Sequence, residues 1–364
     1  MSKAQFHALA PFVALGVFIL AHFFHGQAWI VGLGGLTILV AVMTAVHHAE
    51  VVAHRVGEPY GALILALAVT AIEVALIISM MLQGEGGEHA TLTRDAIFAT
   101  IMIVTNGVIG LSLLLGGLRH HTQSFRVEGA APALAVLIAL TTLTLVLPNF
   151  TTSTPDATYT ATQLAFDALV SLTLWSIFIF SQTMRHRADF LPVQAPEPQV
   201  HKAAHDVAHE RPGTRAALVS LALLLVALIA VVGLAEALAP SVEQAVDILG
   251  LPQAVIGIVI ALLVLLPETL TAIRAAIHNR LQTSINLALG SGLASIGLTI
   301  PVVAMTAVVL GLPLELGLDT KDMVLLALTF MVATLTLLTG RSTIMQGAVH
   351  LVIFAAFLFL SIVP

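Results

Sequence analysis

Residues 60–82 read YGALILALAVTAIEVALIISMML, and residues 255–277 read VIGIVIALLVLLPETLTAIRAAI. Each is an apolar run of the length that crosses a bilayer, roughly 20 residues at about 1.5 Å per residue. Each carries one acidic residue well inside it, Glu73 in the first and Glu268 in the second. A carboxylate at the centre of a bilayer costs about 3 kcal/mol on insertion scales. Two of them at matching places imply an aqueous cavity or a bound cation that stabilises them. A protonated glutamate in an interhelical hydrogen bond is the structural alternative, and it is weaker for a matched pair than for one isolated residue.

Working outward, the 364 residues are 58% hydrophobic and only 9% charged, with a mean hydropathy of +1.02. Soluble chains carry about 25% charged residues, so a soluble enzyme, a nucleic-acid binder and a disordered scaffold are all excluded. The absence of cysteine removes disulfides, Cys-ligated zinc and thiol chemistry. An all-α multi-pass membrane protein remains. Eleven apolar spans are expected, at 9–24, 28–46, 60–82, 96–118, 130–148, 163–184, 215–236, 252–276, 285–310, 323–340 and 344–363. The first is the weakest, and a cleaved signal peptide is its alternative reading.

Eleven spans put the N-terminus and the even-numbered loops on one side. That side holds twelve of the fourteen Lys and Arg residues, and the other holds Arg94 and Lys321. The positive-inside rule then places the N-terminus in the cytoplasm and the C-terminus outside, in the cell's inner membrane. The segment 185–214, rich in proline, histidine and mixed charge, reads as a cytoplasmic linker. The expected organisation is an N-terminal helix (1–27), a first five-helix block (28–184), this linker, and a second block (215–364).

Glu73 and Glu268 each lie in the second span of a block. Aligning them sets Asn106-Gly107 on the following span against Ser291-Gly292. Because five is odd, the second block enters the membrane in the opposite direction. That is an inverted-topology repeat, with a site expected at the midplane between the halves. Pro267, beside Glu268, and the glycines around 107 and 290 are expected to interrupt these helices, although small residues also serve close packing. Carboxylates, hydroxyls and carbonyls suit hard cations such as Ca²⁺. Without the cation the same low-dielectric setting favours protonation. Cation and proton therefore compete for one pair of groups, the minimum chemistry of an antiporter.

At HHAEVVAHRVGEPYGALILALAVTAIEVALI (47–77), IMIVTNGVIGLSLLLGG (101–117), LLVLLPETLTAIRAAIHNRLQTSINLALGSGLASIGLTIPVV (262–303) and LTGRSTIMQGAVHL (338–351), the chain resembles a calcium/proton antiporter of the cation/calcium exchanger superfamily, in its bacterial ChaA-type branch. The resemblance implies one extra helix plus two inverted five-helix repeats, with cation export driven by proton entry. It implies that Glu73 and Glu268 bind cation and proton in turn, with Asn106, Ser291, Ser295 and Thr70 as auxiliary cation ligands. Relatives often carry Gly-Asn four and three residues before each glutamate, where this chain has Val69-Thr70 and Val264-Leu265. Na⁺ or K⁺ exchange on the same site is the alternative. Transported cations and protons are the ligands, no cofactor is implied, and the partners are the lipid bilayer and inorganic cations rather than nucleic acid.

A membrane-embedded metalloenzyme is the rival class, but neither glutamate has a histidine or a nucleophile motif near it in sequence, so no enzyme activity is expected. His47, His48, Glu50 and His54 lack zinc-protease spacing and read as an interfacial turn or, by the resemblance, a cytoplasmic entrance or pH sensor. His201, His205 and His209 recur every fourth residue and are candidates for regulation. His350 reads as a satisfied interior histidine. Asp167 reads as part of an outer vestibule or as a snorkelling side chain.

Overall fold

A computed structural model describes residues 3–24, 27–57, 60–83, 90–154, 157–192 and 212–363. It forms eleven helices: α1 Lys3–Phe23, α2 Ala28–Val56, α3 Tyr60–Gln83, α4 Leu92–His120, α5 Val127–Phe150, α6 Ala161–Arg185, α7 Thr214–Ile248, α8 Ala254–Ile277, α9 Leu281–Leu310, α10 Thr320–Leu337 and α11 Ile344–Ile362. Each coincides with one predicted span, four of which (9–24, 252–276, 323–340 and 344–363) run one to three residues past a helix end. Ten are long and apolar enough to cross a membrane among the described residues, and α3 adds the apolar stretch Leu67–Leu82. A helix is the natural state for such runs, because it satisfies every backbone N–H and C=O within the segment.

The boundaries differ where the apolar run ends before the helix does. α2 continues ten residues past the predicted end and carries His47, His48, Glu50 and His54 on its last turns. α7 runs through Pro240 to Ile248. The expected interruption at Pro267 is absent, since α8 is continuous through it. The interruption expected around Gly107 is present as a π-helical stretch, Ile103–Val108 in α4, and further π stretches occur at Thr142–Val146 in α5 and Ser181–Arg185 in α6, whereas α9 is continuous through Gly290. A π turn inserts one residue without breaking the rod. The histidines His201, His205 and His209 lie outside the described residues.

The inverted repeat is written in the packing. α2 lies along α7, the first helix of one block on the first of the other. α3 packs on α9 and α4 on α8, while α6 packs on α9 and α11 on α4. Each of these pairs becomes the other when α2–α6 and α7–α11 are exchanged. The loops obey the same exchange. Ser124 of the α4–α5 loop bridges Arg341 of the α10–α11 loop, and Thr158 of the α5–α6 loop bridges Glu315 of the α9–α10 loop. The fifth helix of each block starts with the same capping box, Thr160 with Gln163 and Thr343 with Gln346.

Small residues allow the close crossings, as expected where lipid supplies no hydrophobic contrast. Ala41, Ala45 and Ala49, spaced one turn apart on α2, are fully buried. At Gly257 a side-chain carbon would sit 2.8 Å from the backbone nitrogen of Ala96, and at Gly347 it would sit 2.5 Å from that of Leu114. These contacts hold α8 and α11 against α4, the most enclosed helix of the bundle, whose apolar window is 89% buried.

Candidate cation site

Four helices meet at the two glutamates. Glu73 of α3 is 4% exposed and accepts a short hydrogen bond from Ser295 Oγ of α9. Thr100 of α4 lies beside the same carboxyl on the cavity wall. Glu268 of α8 is half-buried and accepts from Ser291 Oγ of α9 at 2.8 Å. Ser291 and Ser295 are one turn apart on α9, so one face of a single helix holds one carboxyl from each block. The two carboxyls are near enough to repel each other when both are charged.

Both glutamates line a cavity of about 470 Å³. Thr70, Thr100, Gly290 and Ser291 line it beside them, and Gln182, Arg187, Phe190 and Leu191 line it where α6 ends. That end of the bundle also carries the N-terminus of α9 and the start of the 185–214 segment, so the cavity runs from the glutamates toward the side that holds most of the Lys and Arg residues. At the opposite end Arg94 closes the loops. Its Nε donates to Asp95 at 2.9 Å, and its Nη1 donates to Glu315 at 2.9 Å and to the Gly317 carbonyl at 3.1 Å.

The structure thus brings together Glu73, Glu268, Ser291, Ser295 and Thr70. Asn106 is different and corrects the expectation. It does not line the cavity; its Nδ2 donates to Thr329 at 2.9 Å and its Oδ1 meets His350 Nδ1 at 3.0 Å, with both residues fully buried. Thr100 stands where Asn106 was expected. Pairing Asn106-Gly107 with Ser291-Gly292 slid α4 by four residues, since Ser291 is ten from the start of α9 (291 − 281) and Asn106 fourteen from the start of α4 (106 − 92). Depth within the helices shows the slip. Glu73 is ten residues from the end of α3 (83 − 73), Thr100 is eight from the start of α4 (100 − 92), and Asn106 is fourteen (106 − 92). A sequence signal for Thr100 therefore existed, namely the hydroxyl at matching depth.

Away from the cavity, His350 is held at both ring nitrogens, with Nε2 3.2 Å from Thr336 Oγ1. The His47 ring stacks on His7 of α1 at 3.9 Å, and His48 Nε2 lies 3.0 Å from the His7 carbonyl. These histidines join α1 to α2 and take no part in lining the cavity. Asp167 is 4% exposed, so it neither snorkels nor opens to a vestibule.

Known proteins are similar over most of the chain. The family described as sodium/calcium exchanger protein matches residues 26–184 and 219–363. A putative ionic transporter, y4hA, of Sinorhizobium fredii is 53% identical over 89% of this chain and 86% of its own length. The sodium-potassium/proton antiporter ChaA of Escherichia coli is 37% identical over 88% of this chain and 85% of its own length. The crystal structure of an H⁺/Ca²⁺ exchanger, CAX, superposes with a TM-score of 0.71 at 18% identity, covering 98% of this chain and 89% of that one; at that identity the likeness speaks for the fold.

Proposed function

The chain belongs to the sodium/calcium exchanger protein family and is a multi-pass membrane cation antiporter of that superfamily; on that premise we propose that it exports Ca²⁺ from the cytoplasm in exchange for protons by alternating access. One observation carries the reading: two carboxyls from opposite helical blocks lie on one cavity and share one helix face of serine donors. Two charged carboxylates neutralise one divalent cation, and two protons neutralise the same pair. Hydroxyls of Thr70, Thr100, Ser291 and Ser295 supply neutral oxygens, which suits a hard cation that takes about 6–8 oxygen ligands with water completing the shell. The pair is never left charged and empty at the centre of the bundle, since that state is the costly one. This is what couples one flux to the other.

The charge asymmetry of the loops puts the cavity mouth at the cytoplasmic face of an inner membrane, so the conformation is inward-open, with the Arg94 cluster closing the outer end. The two five-helix blocks, 28–184 and 215–364, each contribute one glutamate, and 185–214 joins them. A second reading, Na⁺ or K⁺ exchange for protons, is favoured by the name of the 37% identical relative; the same two carboxylates neutralise two monovalent ions. Proteoliposomes given a pH gradient decide between the two. Accumulation of ⁴⁵Ca²⁺ against its gradient supports Ca²⁺ exchange, accumulation of ²²Na⁺ or ⁸⁶Rb⁺ alone transfers the mechanism to monovalent ions, and no gradient-driven accumulation of any of them overturns antiport.

A further inference from the structure

Asp167 lies on α6, one turn and a half from its start, and takes no part in the cavity. Its Oδ1 accepts from Thr144 Oγ1 of α5 at 3.1 Å, while its Oδ2 is buried and meets no protein donor. Thr141 Oγ1 on α5, Ser171 Oγ on α6 and Thr299 Oγ1 on α9 are buried without protein partners as well, and all three residues are 0% exposed or nearly so. This is unlike the helix hydroxyls elsewhere in the chain. Thr37, Thr44, Thr173, Ser176, Thr183 and Thr306 each donate to the carbonyl four residues earlier, the usual way to satisfy a hydroxyl inside a helix.

The orphaned oxygens of α5 and α6 fall at one place. α5 and α6 are consecutive and antiparallel, and the Thr144–Asp167 bond sets their register. Stepping back three residues on α5 and forward four on α6, about 4.5 and 6 Å, brings Thr141 level with Ser171. Gly297 of α9 packs against Trp175 of α6; Thr299, two residues on, does not share that face of α9 and stands outside the set. α5 is π-helical from Thr142 to Val146 at this level, and its Leu143 carbonyl is taken by the Tyr159 hydroxyl at 2.6 Å. Burial and the nearby Asp167 charge push the Tyr159 hydroxyl up to about 12, so it stays a donor to that carbonyl.

The matching position in the other block is closed. Asp167 is the seventh residue after the capping Thr160 (167 − 160), and His350 is the seventh after Thr343 (350 − 343). His350 has a partner at each ring nitrogen, and Asp167 has an open carboxylate oxygen among open hydroxyls. A buried polar group left without a partner costs about 1–3 kcal/mol, and several together at one level point to a ligand. Around Asp167 the open atoms are oxygens carrying one formal negative charge, with the unpartnered Trp175 Nε1 a turn beyond Ser171. A monovalent cation is neutralised by that charge, whereas a divalent one would keep an uncompensated charge inside the bundle.

We propose that Asp167, with Thr144, Thr141 and Ser171, forms a second cation site for a small alkali ion such as Na⁺, separate from the Glu73–Glu268 pair. The site stands independently of which ion the glutamates carry. The test is thermal unfolding of the purified full chain in detergent, with choline replaced by Na⁺, K⁺ or Li⁺ at constant ionic strength, because a ligand bound only by the native state raises Tm. Na⁺ is expected to raise Tm saturably in the wild type and in the Glu73→Gln/Glu268→Gln double variant, and to leave the double variant unmoved once Asp167→Asn is added. Thr141→Val/Ser171→Ala in the double variant keeps the carboxylate and loses two neutral ligands; its half-saturating Na⁺ is expected to rise by about tenfold or more, which keeps the idea testable if the chain with Asp167→Asn does not fold. The proposal is overturned if no alkali ion shifts the wild type, if the response vanishes in the glutamate double variant, or if adding Asp167→Asn or Thr141→Val/Ser171→Ala to that double variant leaves the response unchanged.

Discussion

Glutamine keeps the volume of glutamate and discards its charge and its titratable proton. Glu73→Gln and Glu268→Gln are therefore each expected to reduce pH-driven cation uptake in proteoliposomes to that of empty vesicles, with insertion unchanged; uptake near the wild-type rate in either variant would refute the shared pair. Thr100 and Asn106 separate by the same logic. Thr100→Val removes a hydroxyl beside the Glu73 carboxyl on the cavity wall and is expected to weaken apparent cation affinity severalfold, about what one neutral oxygen partner contributes. Asn106→Ala leaves Thr329 and His350 with broken bonds far from the cavity, so it is expected to cost about 1–3 kcal/mol of stability while the folded protein keeps its affinity. A thermal unfolding curve and a cation titration on each variant check both statements.

At the scale of elements, the two ends of the bundle are closed by different chemistry. Neutral groups join the loops at the end where the cavity opens: Gln123 Nε2 donates to the Ala276 carbonyl at 2.8 Å, and the Gln123 backbone N–H to Ser342 at 3.1 Å. At the far end the buried Arg94 ties α4 to the α9–α10 loop through Glu315 and Gly317. Removing one partner of a buried ion pair leaves the other charge uncompensated, which costs about 3–5 kcal/mol. Arg94→Gln is accordingly expected to lower Tm strongly, with Asp95→Asn in the same chain restoring part of the loss. A Tm unchanged in Arg94→Gln would show that the clasp contributes nothing to the closed far end.

For the whole molecule, sidedness and proton coupling are the quantities to measure. The chain has no cysteine, so a single introduced thiol reports its own access. Thr183→Cys, on the cavity wall, is expected to react with a membrane-impermeant maleimide from the cytoplasmic face and to be protected from the outside; labelling from the outside alone would reverse the assigned orientation. On the proposed mechanism the empty pair carries protons that cation binding displaces. Adding Ca²⁺ to weakly buffered purified protein is expected to acidify the medium. Apparent affinity should rise with pH and level off once the pair is ionised. Equal affinity from pH 5.5 to 8.5, with no more acid released than from the Glu73→Gln/Glu268→Gln variant, would exclude competition at one site.

Much of this architecture was legible in the chain itself. Apolar length sets where helices form, so all eleven spans could be counted, and two carboxylates stranded in such runs pointed to the cavity that both line. Odd repeats of five spans imply inversion. What the chain could not reveal is which hydroxyl meets which carboxyl, because that depends on how α3, α4, α8 and α9 slide past one another. In a helix that is apolar all round, no amphipathic stripe sets the register. The Asn-Gly of α4 therefore looked like the partner of Ser291-Gly292, when Thr100 faces Glu73 and Asn106 faces His350. Ser295, on the second block's third helix, reaches across to Glu73 of the first block for the same reason. Pairing across a two-block bundle is a property of packing, and it appears only when the small residues at Gly257, Gly297 and Gly347 have let the helices close.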